Sequence, residues 1–81
     1  MSEQQNSLLD GWDPERHHSV SEHRALLEEF RLMTESVPEE QLASGIGVHL
    51  ATIRKWRKWG RVRLNRSTQA RVIEYLRRRR Q

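Results

Sequence analysis

Pro38, Gly47 and Gly60 cut the apolar residues of this 81-residue chain into short stretches. Each stretch has helical spacing, and none has the two-residue alternation of a strand. Leu26, Leu27, Phe30 and Met33 precede Pro38. Leu42, Ala43 and Ile46 lie between Pro38 and Gly47. Val48, Ile53 and Trp56 lie between Gly47 and Gly60, and Val72, Ile73 and Leu76 follow. The pattern predicts an all-α fold, a small four-helix domain over residues 19–81. A chain of this length with 35% hydrophobic residues buries a modest core, which makes an enzyme with a deep substrate cleft a poor fit.

Local signals set the helix ends. Ser19 and Glu22 have capping-box spacing and start the first helix. That helix stops before Pro38, because Val37 is pushed out of the α region by the proline after it. The second helix begins at or next to Pro38, with Glu39 and Glu40 suited to its positive end. It is short, since Gly45 and Gly47 interrupt it, and Gly47 supplies a left-handed exit. The third helix runs from about His49 to Lys58, with Arg54, Lys55, Arg57 and Lys58 polar or outward. Residues 61–64 form a basic connector, and Asn65 or Ser67 caps the fourth helix. Residues 1–18 are polar and aperiodic and read as a flexible acidic N-terminal arm. Its apolar spot, Leu8, Leu9 and Trp12, closes at Asp13-Pro14 and docks either on the domain or on a partner.

Composition removes several classes of function. The chain has no cysteine, hence no disulfide, thiolate zinc site or cysteine nucleophile. No apolar run approaches a membrane span, and the first ten residues do not resemble a signal peptide. A cytoplasmic location is therefore expected. His17, His18 and His23 lack a supporting ligand set, so no metal site is predicted. Ser19, Ser21, Ser67 and Thr68 read as capping residues, and no base or orienting group accompanies them. Glu28 and Glu29 face solvent. No catalytic residue and no cofactor are expected.

Charge points to the partner. The net charge is +4, but residues 1–40 carry three basic and ten acidic side chains. Residues 41–81 carry twelve basic side chains and one acid, Glu74, so the halves are −7 and +11. Thirteen of the fifteen basic residues are arginine, whose planar fork fits phosphates and guanine edges. Such asymmetry predicts a polyanion partner for the C-terminal half.

The stretch PEEQLASGIGVHLATIRKW reads as two short helices around a tight glycine turn. Ala43 is small enough for the two to approach, Gly47 tolerates positive φ, and Val48, Ile53 and Trp56 anchor the second helix. In a helix-turn-helix the first helix props the second across the major groove. The ordered series Gln41-Leu42-Ala43, Gly47-Val48, Thr52-Ile53, Trp56 and Gly60, with Ile73 and Leu76 later, resembles the lambda-repressor/Cro-like (Xre) helix-turn-helix family of transcriptional regulators. The resemblance covers roughly residues 20–77. The chain departs from that family's pattern at Trp59, an extra residue before Gly60. It departs again at His49, where many members have Ser or Thr, and in lacking an expected fifth helix.

By position, the resemblance implies base contacts from His49, Leu50, Ala51 and Lys55. It implies phosphate or groove-edge contacts from Thr52 and Arg54, and phosphate contacts from Arg61, Arg63 and Arg66 in and after the connector. It implies a bacterial or phage-encoded, nucleoid-associated regulator of double-stranded DNA. Such a protein is a small repressor or a DNA-binding antitoxin that acts by operator occupancy as a homodimer, on half-sites about one helical turn apart. The competing expectation is a protein-interaction adaptor on the same fold. Its acidic first helix and LLDGW arm hold a protein partner while the basic half is merely solvated. An RNA-binding reading lacks the aromatic platform that single-strand readers use.

Overall fold

The computed structural model describes residues 8–59 and 63–80. All regular structure among them is helical: α1 (Leu8–Gly11), α2 (Val20–Met33), α3 (Glu39–Ile46), α4 (Leu50–Trp59) and α5 (Arg66–Arg80). The fold is all-α with one element beyond the four expected, the single turn α1.

α2 starts at the expected capping box. The Ser19 hydroxyl accepts from the Glu22 amide, and the Ser19 amide donates to the Glu22 carboxylate at 2.8 Å. Two donors without helical partners are thus satisfied reciprocally. His23, Leu26, Leu27 and Phe30 form its buried side. The helix stops at Met33, where both the amide and the hydroxyl of Thr34 turn back to the Phe30 carbonyl.

Pro38 is the N-cap of α3, and its carbonyl accepts from the amides of Gln41 and Leu42. Gly45 lies inside α3 and does not interrupt it. A Cβ there would stand 2.7 Å from Cε1 of Tyr75, so its missing side chain lets α5 cross close by. Gly47 ends the helix at φ 89°, and the Gly47 and Val48 amides both close on the Ala43 carbonyl. Ile53 and Trp56 then seat α4 on the core, with Trp56 edge-on to Phe30 at 5.6 Å. Of the two candidate caps of α5, Asn65 performs the task by accepting from the Thr68 amide at 2.8 Å. Arg77–Arg80 are the last turn of α5, the favourable end of its dipole for cations.

Of the expected N-terminal arm, residues 8–18 are described, and their apolar spot docks on the domain; residues 1–7 lie outside the described residues. Leu9 and Trp12 are buried members of the core. The Trp12 indole N–H donates to Gln69 Oε1 at 3.0 Å, and Gln69 Nε2 donates to the Leu64 carbonyl at 2.8 Å. The Leu64 amide in turn donates to Nδ1 of His23 at 3.1 Å. One polar chain thus joins the N-terminal segment, α2, the connector and α5. The Trp12 ring also stacks on His18, with centroids 3.8 Å apart. From α5, Arg77 donates to the Leu9 carbonyl and Arg80 to Asp10.

Replacing Trp12 by Ala removes a buried ring and leaves Gln69 Oε1 without its donor. The expected cost is about 3–5 kcal/mol in urea unfolding, a large part of the margin of a domain this small. A cost below about 1 kcal/mol would mean that the segment does not belong to the cooperative core.

His23 supplies a pH dependence. Burial foremost, then the Arg63, His18 and His17 charges, hold its pKa below the ordinary 6.5, with Glu22 pulling the other way. Below 6.5 the unfolded chain takes up a proton that the folded one resists, so stability falls as pH drops through that window. His23→Gln, which keeps an acceptor but does not titrate, is expected to flatten the melting temperature between about pH 7 and 5. An unchanged slope in the variant contradicts this.

Candidate nucleic-acid interface

The expected contact residues gather around α4, but not on one surface. Helical spacing puts Ile53 and Trp56 on the buried side and Ala51 and Lys58 opposite, flanked by Arg54 and Lys55. Ala51, Arg54, Lys55 and Lys58 are all exposed. The ten residues of α4 include no acid, so this outward face is cationic along its length.

Beside it runs a groove lined by His49, Thr52, Lys55, Arg63, Asn65 and Thr68, with Trp56 and Leu64 in its floor. Four of the expected contact residues therefore meet there: His49, Thr52, Lys55 and Arg63. His49 opens α4, its carbonyl accepting from the Thr52 and Ile53 amides. Val48, half-buried, packs on the core and fixes the entry to the helix.

Three expected residues stand outside this groove. Leu50 is half-buried and shares the α3 side of α4 with Arg54 and Arg57 by helical spacing. Arg54 donates to Glu39 at the start of α3, 3.2 Å away. Arg66 is the first residue of α5 and lies 3.6 Å from Glu15. Arg61 falls outside the described residues, as does the side chain of Trp59.

Sequence reasoning missed the arginines that act inside the fold. Arg57, expected to be polar or outward, is half-buried, and its guanidinium donates to the carbonyls of Thr34 and Val37 at 2.8 and 3.2 Å. It ties α4 to the loop between α2 and α3, with Glu39 3.8 Å away. Arg71 donates to the Gly47 carbonyl at 2.9 Å and holds the turn from α5. The only advance signal for Arg57 is its helical register, close to that of Leu50 and Ile53.

His18 and His23 serve packing, while His17 is exposed. His18 is buried, with Nε2 2.7 Å from the Asp13 carbonyl, and His23 accepts from Leu64. Ser19 caps α2, and Ser67 donates to Asn65. Among the described residues, no group of three or more His, Asp or Glu side chains is placed to hold a metal ion. No described helix is long and apolar enough to cross a membrane. Comparison of the chain with family models, curated proteins and solved structures gives no match.

Arg54 and Arg57 both approach Glu39, yet removing them should differ in cost. Arg57→Met leaves two carbonyls without their charged donor and is expected to cost about 1–3 kcal/mol. Arg54→Met breaks an exposed pair and should cost less than about 1 kcal/mol. Equal effects in chemical denaturation contradict the placement of Arg57.

Proposed function

We propose that this chain is a sequence-specific double-stranded DNA-binding regulator. In this reading α3, the Gly47 turn and α4 are a helix-turn-helix pair of the lambda-repressor kind, and α4 enters the major groove. The observation that carries the reading is the exposed, basic face of α4, a helix with no acid of its own, anchored by Ile53 and Trp56. Ten helical residues span about 15 Å, a length that lies readily in a groove about 12 Å wide. The ordered residues Gln41-Leu42-Ala43, Gly47-Val48, Thr52-Ile53, Trp56 and Gly60 add their family resemblance.

Lys55 donates to guanine acceptors, while Ala51 meets thymine methyl groups. His49 reads from the start of the helix. Thr52, Arg63, Arg66 and Arg61 hold phosphates and set the register. Arg54 joins them when it exchanges Glu39 for a phosphate, an exposed pair of little worth. The chain acts by occupancy, as a small repressor or antitoxin, with two copies on a pseudo-palindrome. The adaptor reading has less to rest on, because Leu9 and Trp12 of its docking patch are buried in the chain's own core.

The test is selection of the purified protein against random duplexes, at physiological salt with nonspecific competitor. A two-fold symmetric site is expected to emerge. On that site, Lys55→Ala is expected to relax sequence preference. Arg63→Ala should weaken all duplexes alike and reduce the log–log salt slope by about 1. No enriched sequence, together with binding indifferent to salt, contradicts the proposal.

A further inference from the structure

A second cleft, of about 330 Å³, opens where the segment before α2 meets the connector and the start of α5. Three arginines, Arg16, Arg63 and Arg66, line it together with His17, His18 and His23. No carboxylate among the described residues lines it. Glu22 and Glu15 stand behind Arg16 and Arg66 at 3.3 and 3.6 Å. Both pairs are exposed, so either guanidinium is released at little cost.

One feature beyond the arginines favours negative charge in the cleft. His18, buried, lines its wall, its Nε2–H donating to the Asp13 carbonyl and its Nδ1 3.5 Å from Glu22. The first turn of α5 has no acid and opens on Arg66. The positive end of the helix dipole therefore adds to the cations of the cleft. Burial foremost holds the His23 pKa below its ordinary value, and the charges of Arg63, His18 and His17 act in the same direction, against Glu22.

We propose that this cleft binds a small phosphorylated molecule, its phosphate held by Arg63 and Arg66 with Arg16 at the rim. Arginine forks from three elements suit a tetrahedral dianion, which offers oxygens in several directions, better than a flat carboxylate with one edge. The volume is at the small end of ligand sites and too confined for a large cofactor. The site does not depend on the DNA-binding reading. Arg63, Leu64 and Asn65 line both this cleft and the groove beside α4, so an occupied cleft draws a cation away from that groove.

The test is an NMR titration of the full chain with pyrophosphate, against sodium chloride at matched ionic strength. Saturable shifts are expected at the His17 and His23 rings and at Arg63 and Arg66, with no counterpart in chloride. Arg63→Gln with Arg66→Gln should weaken the half-point at least about tenfold, as expected from losing two charge-assisted forks. Arg79→Gln, at the far end of α5, should leave it unchanged. Shifts that follow ionic strength alike in both salts overturn the proposal on the unaltered protein, without recourse to a variant. A half-point that the folded double variant retains overturns it as well.

Discussion

Leu64 is gripped from both sides of its peptide. Its amide is taken by His23 of α2, and its carbonyl by Gln69 of α5, which in turn receives the Trp12 indole. These groups are buried and paired, and in a low-dielectric interior such a chain rigidifies what it connects. It fixes the connector between α4 and α5 and thereby the place of Arg63, which lines the groove beside α4 as well as the cleft behind it. It also draws the N-terminal segment into the core, where Leu9 and Trp12 add apolar area that a domain of this size can scarcely forgo.

Local physics made most of the fold legible. The Ser19–Glu22 box, Pro38, the positive-φ Gly47 and the Asn65 cap each act within a few residues, and each is found where its spacing puts it. The apolar stripes follow for the same reason. The apolar spot Leu8, Leu9 and Trp12 was legible but its dock was not, because these residues have no period and their partners are distant: Trp12 meets Gln69, and Leu9 meets Arg77. Gly45 shows the same limit from the other side. A glycine in a short helix reads as a breaker, but here it makes room for the Tyr75 ring.

Charge was the signal most in need of the structure. A +11 half-chain suggests a uniform basic surface, yet its arginines divide by task. Arg57, Arg71 and Arg77 bind backbone carbonyls and hold loops, turn and N-terminal segment in place. Arg66, Arg78 and Arg80 stand against carboxylates. Lys55 and Arg63 line the groove, and on this division of labour the reading of α4 as a DNA-contacting helix depends. The candidate site was legible as a helix; the selection among its cations was not.

The most direct test is to ask which part of the molecule meets a duplex. An NMR titration of the labelled chain with a short DNA duplex at low salt reports this residue by residue. The account predicts that shifts concentrate at 49–55 and at Arg63, with the buried amides of α2 unmoved. Shifts confined to the arginines at the end of α5, with α4 silent, would contradict it and leave the basic tail as a generic phosphate contact.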